Sequence, residues 1–456
     1  MPEPHSDALV LFGATGDLAY QQIFPALYAL ARRGRLDLPV ICTARQPWSR
    51  DEMIARVRES VSKREPVDEA VFGPLASRMH YISGDYADPA TFAALDEALG
   101  SASRPLFYLA IPPGLFGPVS KGIAGLGCNP GARLVVEKPF GRDVESARAL
   151  NRTLHEFFAE PSIYRIDHYL GKEPVLNLEY FRFANAFVEP IWTAASIDNV
   201  TITMAEAFGV RGRGRFYEEV GATRDVFQNH LLQVLALLAM EPPADDSAAS
   251  IDAAKVALLR AVRPLRPEDV IRGQYDGYRQ ETGVAPDSTV ETYFSLRLAI
   301  DNPRWSGVPF TVRSGKCLAE TVTEVRMQLK PPSTMLFDAE AASHPNQIIF
   351  RLGPDVSIAL AARVKARGEE MVGEPVHLVD VRKPGDEMRP YERLLGDALE
   401  GDRTLFGSQA GVDASWAIVQ PVLDQQSAPL PYAPGSWGPV GNDTNDGNEH
   451  DARSFL

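Results

Sequence analysis

The sequence predicts an α/β Rossmann-type dinucleotide-binding domain followed by an α+β domain with a large, mainly antiparallel sheet. Three observations carry this. Short apolar runs alternate with helical patterns up to about residue 165. A glycine turn separates the first of those strands from the first helix. In the second half, strands follow one another with few helices between them. The 456 residues exceed one ordinary domain of roughly 100–200 residues. The expected boundaries are 1–165, 166–441 and a polar Gly/Asn/Asp-rich tail, 442–456, whose composition predicts disorder.

The elements follow in order. "ALVLF", Ala8 to Phe12, reads as a buried parallel strand. Gly13 and Gly16 come next, then apolar residues at helical spacing from Leu18 to Arg33, with Pro25 set to kink the helix. "DLPVICTAR" is a second strand. "SRDEMIARVRESV" is a helix with a Ser cap. "MHYISGDY", "PLFYLAIPP" and "ARLVVEKPFG" are further strands, with the helical "PATFAALDEALG" after the first. In the second half, "IDNVTITMAEAF", "TVETYFSLRLAI", "VPFTVRSGK", "TEVRMQLK", "NQIIFRLG", "VSIALAARV" and "VHLVDV" read as strands. Helices are expected at about 219–240, 251–263 and 391–402.

Composition narrows the function classes. A net charge of −14 argues against a nucleic-acid footprint, which is basic and clustered. It leaves room for an anionic substrate in a locally basic pocket. Cys42, Cys128 and Cys317 are scattered without CxxC spacing, so neither a disulfide framework nor a zinc site is indicated and no metal is expected. A reducing cytoplasm fits. The N-terminus has no basic flank or cleavage site, and the apolar runs fall short of the ~20 residues of a membrane helix.

The glycine turn points to a nucleotide. Glycines let backbone approach a pyrophosphate, and a helix N-terminus supplies unpaired N–H groups and a positive dipole end. The spacing here is Gly-x-x-Gly, so the strand-to-helix context carries the reading rather than the spacing itself. An NAD site usually has an acid at the end of the second strand to bind the ribose. Here that strand ends "CTARQ", and Arg45 stands where a 2′-phosphate would lie. This favours NADP. Gln46, able to bond a ribose hydroxyl, keeps NAD as the alternative.

Removing hydride from a carbon that bears a hydroxyl leaves a proton, and a neutral imidazole suits its removal. Of eight histidines, His230 stands out. It follows Gln228 and Asn229 at the start of the apolar "LLQVLALLAM". A carboxylate such as Asp167 would orient such a base if the fold unites them. "YRIDHYLGKE" also carries His168, Tyr169 and Lys172, donors suited to a phosphate, with His168 and Lys172 four apart. Lys138 ends an apolar strand, where open parallel sheets place ligands. Glu206 and Asp225 suit sugar hydroxyls, since ionised carboxylates only accept. Read instead as a glycosidase pair, they would leave the nucleotide turn without purpose. "RGRGR" lacks interleaved aromatics and reads as a substrate-side loop.

Together these motifs resemble the glucose-6-phosphate dehydrogenase family. The matching segments are "GATGDLA", "TARQ", "FYLAIPPGLF", "VVEKPFG", "YRIDHYLGKE", "RDVFQNHLLQ", "VPFTVRSGK", "YERLLGD" and "PYAPGSWGP", in family order from about Ala8 to Pro439. The resemblance implies oxidation of glucose 6-phosphate at C1 to 6-phosphoglucono-1,5-lactone with hydride passing to NADP, the first oxidative step of the pentose phosphate pathway. It implies His230 as general base and Asp167 as its orienting carboxylate. His168, Tyr169 and Lys172 would bind phosphate, while Lys138, Glu206, Asp225 and Lys316 would bind substrate. The expected cofactor contacts are Gly13, Ala14, Thr15, Gly16, Asp17, Leu18, Arg45, Ala110 and Lys138. A homodimer or a dimer of dimers is expected.

Two family positions differ. The family's basic triplet after "GDLA" is Tyr20, Gln21 and Gln22 here, and a Lys or Arg five residues after the lysine of "SGK" is Thr321. The alternatives are therefore a dehydrogenase of a related sugar phosphate, an NAD-preferring variant, or a cofactor-binding homologue without turnover.

Overall fold

The structure, a computed structural model, describes residues 5–128, 130–334, 336–337, 345–382, 387–424 and 427–439. The expected tail, 442–456, lies outside the described residues. The chain forms two compact units: Met1–Glu173 with Pro243–Ala254 and Asp386–Asp413, and Pro174–Pro242 with Lys255–Gly385 and Ala414–Leu456.

The first unit is built on β1 (Ala8–Phe12), β2 (Val40–Ala44), β3 (Met79–Ser83), β4 (Pro105–Leu109), β5 (Arg133–Val136) and β6 (Ile163–Ile166). Their order is β3-β2-β1-β4-β5-β6, all parallel. This is the doubly wound order whose strand sequence reverses at β1 and β4. The inner strands β1, β4 and β5 are buried on both faces because each face has its own core, whereas the edge strand β3 is partly exposed. Leu9, Leu11, Leu106, Tyr108 and Val135 bury on one side. Val10, Phe12, Phe107, Leu109, Leu134 and Val136 bury on the other. That is the period-two alternation of a strand covered twice.

Local chemistry sets the helices of this unit. Ser49 caps the helix Arg50–Ser62, and Glu52 completes the capping box. The Pro25 kink takes a definite form. A π-wound turn, Ala19–Ile23, precedes the helix Phe24–Arg32, in which Pro25 occupies a first-turn position. Proline lacks an N–H, so it is tolerated there and disrupts the winding just before it.

The compact units divide the chain differently from the boundaries expected from the sequence. The first unit runs on to Glu173, and Asp386–Asp413 belongs to it rather than to the second unit. The reason is burial. The helix Pro390–Glu400 packs Leu394, Leu395, Ala398 and Leu399 into the same core as Leu27 and Tyr28, and each fully buried leucine contributes roughly 1.5–3 kcal/mol. A short strand, β15 (Phe406–Gly407), then pairs antiparallel with β6.

The second unit holds a nine-stranded sheet. Its strands are β7 (Ile197–Ala205), β8 (Val270–Tyr275), β9 (Tyr293–Leu298), β10 (Phe310–Gly315), β11 (Val322–Leu329), β12 (Gln347–Gly353), β13 (Val356–Lys365), β14 (Gly373–Arg382) and β16 (Leu430–Tyr432). The order is β14-β13-β12-β11-β7-β10-β9-β8-β16. Pairing is antiparallel except for β7 with β10 and β8 with β16. The seven expected strands are present, and β8 and β16 join them. The helix expected at 219–240 divides into Gly214–Ala222, a π-helix Thr223–Leu231, and Leu232–Ala239.

Candidate active site

In the first unit, the turn after β1 lies between the C-terminal ends of β1 and β4. Gly13 has φ +80°, and a Cβ there would sit 2.1 Å from the Ala110 carbonyl oxygen. Only glycine lets the turn pass that strand end. Tyr86 fixes the turn from below: its hydroxyl accepts the Gly13 N–H at 2.9 Å and donates to the Thr43 carbonyl at 2.9 Å. Gly16 closes the turn through its N–H to the Gly13 carbonyl at 3.0 Å. Asp17 and Leu18 then open the helical winding, whose first N–H groups have no partner within the helix. Thr15 donates to Gln46 at 2.5 Å, tying the turn to the end of β2. Arg45, just past β2, is exposed and lies 3.5 Å from Asp85. A backbone cradle facing a helix N-terminus, with a guanidinium beside it, fits a dinucleotide that carries an extra phosphate.

Lys138 lies two residues past the end of β5, after the buried Glu137. Tyr108 donates to Glu137 at 2.6 Å, and Tyr391 lies close enough to influence its carboxyl. Burial pushes the Glu137 carboxyl up to about 7, against the opposing pull of Tyr108, Lys138 and Tyr391. After β6 the chain folds tightly. Asp167 is 7% exposed and accepts the Tyr169 N–H at 3.0 Å. The Lys172 ammonium lies 3.5 Å from the Tyr169 ring centroid, and the His168 ring is edge-on to Tyr169 at 5.2 Å. These three side chains are brought together. His168 also stacks on Tyr391, 6.3 Å apart and inclined 13°. At Gly171 a Cβ would approach the Pro390 carbonyl to 2.9 Å, which explains the glycine in "YLGKE".

In the second unit, strand register places the next pair. β7 and β10 run parallel with Ala205 opposite Gly315. The residues that follow, Glu206 and Lys316, therefore emerge side by side, and Lys316 donates to Glu206. Tyr432 holds the Lys316 carbonyl at 2.6 Å. Thr321 has a role of its own: its hydroxyl accepts the Ala207 N–H at 3.0 Å, steadying the loop behind Glu206. Asp225 and His230 share the π-helix. His230 is 4% exposed, Asp225 half-buried. In the first unit, the Gln22 side chain accepts from Arg64 at 3.5 Å.

The site residues therefore fall as follows. The turn residues, Arg45, Ala110, Lys138, Asp167, His168, Tyr169 and Lys172 are in the first unit. Glu206, Asp225, His230 and Lys316 are in the second. Sequence reasoning did not single out Glu137 or Tyr391. The first had a signal, an acid closing the apolar run "RLVV"; for the second only the fold shows that a distant helix meets His168.

A doubly wound dinucleotide fold, a basic and aromatic cluster after its sixth strand, and a second unit with a carboxylate–lysine pair and a buried histidine define a nucleotide-dependent dehydrogenase of an anionic substrate. Residues 10–177 match the family described as "Glucose-6-phosphate dehydrogenase, NAD binding domain". Residues 179–452 match "Glucose-6-phosphate dehydrogenase, C-terminal domain". The chain belongs to the glucose-6-phosphate dehydrogenase family. It is 46% identical over 440 residues to glucose-6-phosphate 1-dehydrogenase 1 of Mycobacterium tuberculosis, covering 95% of this chain and 93% of that one. It is 38% identical to the Bacillus subtilis glucose-6-phosphate 1-dehydrogenase, covering 95% of each. A crystal structure of the Mycobacterium avium glucose-6-phosphate 1-dehydrogenase is similar, with a TM-score of 0.89 and 47% identity over 95% of each chain. So is a glucose-6-phosphate dehydrogenase in complex with glucose 6-phosphate, with a TM-score of 0.90 and 33% identity over 97% of each chain.

Proposed function

We propose that this chain oxidises glucose 6-phosphate at C1 to 6-phosphoglucono-1,5-lactone with NADP. The observation that carries it is family membership over nearly the whole chain, together with the intact cluster His168, Tyr169 and Lys172. When bound, NADP supplies the hydride acceptor. Gly13 to Leu18, Ala110 and Lys138 would hold it, with Arg45 on the 2′-phosphate. His168, Tyr169 and Lys172 would grip the phosphate of the sugar through charge-assisted bonds. Glu206 and Asp225 would accept from sugar hydroxyls, and Lys316 would donate. His230 would take the C1 hydroxyl proton, with Asp167 orienting its ring and stabilising the imidazolium.

The second unit also supports self-association. On and beside β13 and β14, Val364, Met371, Val372, Leu378 and Val381 are exposed. β14 ends the sheet. An apolar groove of about 730 Å³ runs beside it, lined by Phe187, Leu329, Ile348, Leu360 and Val372 among others. Exposed apolar surface at an edge strand calls for cover, and the proposed cover is a second copy, as a homodimer or a dimer of dimers.

A panel of hexose 6-phosphates, each with NADP and with NAD, tests the reading. Glucose 6-phosphate with NADP should give the highest kcat/KM. A higher value for another sugar phosphate would move the assignment to that substrate.

A further inference from the structure

The helix bearing Asp225 and His230 is unusual in its winding and in its start. Over Thr223–Leu231 it is a π-helix between two α-helical segments. In α winding, residues five apart point about 140° away from each other around the axis. In winding closed by i→i+5 bonds they fall close to one line. The π turn therefore puts Asp225 and His230 on a common face, where α winding would separate them. Such turns are rare and persist where the surroundings hold them.

Glu291 supplies the hold. Just before the π-helix the chain breaks at Gly221, with φ 64° and ψ 174°. The Glu291 backbone carbonyl accepts the Ala222 N–H at 3.0 Å. Its side-chain Oε1 accepts the next N–H, that of Thr223, at 3.1 Å. Gly221 is pressed against the same carboxylate, since a Cβ there would lie 2.8 Å from Oε1. The other oxygen, Oε2, accepts from Arg272 on β8 at 2.6 Å. Arg272 is itself fixed by the Thr289 carbonyl at 3.2 Å and the Ser427 carbonyl at 2.5 Å. The two side chains are only 17% and 7% exposed.

We propose that the Arg272–Glu291 pair positions the π-helix, anchoring its first N–H groups so that Asp225 and His230 face the sugar together. Both are positioning residues that act through the helix. The inference rests on the reaction proposed above. A buried ion pair is by itself weak evidence for stability; here its geometry is directed at two successive helix-start donors.

The test uses the full-length chain and steady-state kinetics with glucose 6-phosphate and NADP. E291A should lower kcat at least about tenfold and raise KM for the sugar. KM for NADP should stay within about twofold, because the residues assigned to the cofactor lie on other elements. E291Q, which keeps an oxygen for the Thr223 N–H but turns an NH2 towards the Arg272 guanidinium, should fall between wild type and E291A. E291D keeps the charge but shortens the reach, and should fall with E291A. If E291A does not fold, E291D decides. Wild-type kcat in E291A or E291D overturns the proposal, as does E291Q no better than E291A. An inactive wild type would instead sink the proposed reaction.

Discussion

Lys316 meets Glu206 across two parallel strands because β10 and β7 are in register up to Gly315 and Ala205. One residue beyond that register, the chain places an ammonium against a carboxylate, with Phe208 and Tyr217 rings 5.4 and 5.7 Å from the lysine nitrogen. Bonds to charged groups contribute about 1.5–3 kcal/mol. K316M should accordingly raise KM for glucose 6-phosphate roughly 10- to 100-fold and leave KM for NADP unchanged. An unchanged sugar KM would remove Lys316 from the substrate site.

Arg45 is the exposed guanidinium at the end of β2, 3.5 Å from Asp85. If it binds the 2′-phosphate, R45A should lower kcat/KM with NADP by about 10- to 100-fold and leave NAD nearly untouched. Equal losses with both cofactors would show that Arg45 serves the fold rather than the phosphate.

Glu137 gives the first unit a pH signature. Its folded pKa of about 7 lies above the ordinary carboxylate value. The folded state therefore holds a proton that the unfolded state has released, and the contribution is fully present below about pH 4.5. It is lost as pH rises through about 7, a swing on the order of 3 kcal/mol. E137Q should flatten this part of the stability curve. Denaturant titrations of both proteins between pH 5 and 8 check it; parallel curves would refute it.

Gly13→Ala should cost at least about 2 kcal/mol, because the added Cβ would sit 2.1 Å from the Ala110 carbonyl oxygen. G16A meets only the Gly13 carbonyl at 3.2 Å and should cost less. Unfolding midpoints of the two variants compare them directly, and a G13A protein as stable as G16A would contradict the turn geometry.

Much of this was legible in the sequence, for identifiable reasons. β1, β2, β4 and β5 are short apolar runs because two cores cover them, and that pattern survives without any knowledge of partners. The cluster of His168, Tyr169 and Lys172 was legible because its three residues are local. Long-range placements were not. Nothing around Pro390–Glu400 says that its leucines return to the core of the first unit. The π winding leaves no periodic signature in nine residues. Thr321 read as a missing charge, whereas the fold gives it the Ala207 N–H. Glu291 read as an ordinary strand residue and Arg272 fell outside the expected strands, because their meaning lies in the helix start they face.

The central claim is tested most directly by mixing the purified chain with glucose 6-phosphate and NADP and following the near-ultraviolet absorbance of reduced nicotinamide. Wild type should produce a steady rise. H230N should lose at least about 100-fold in kcat while its sugar affinity stays near wild type. No rise with either NADP or NAD, or an H230N protein as active as wild type, would contradict the account.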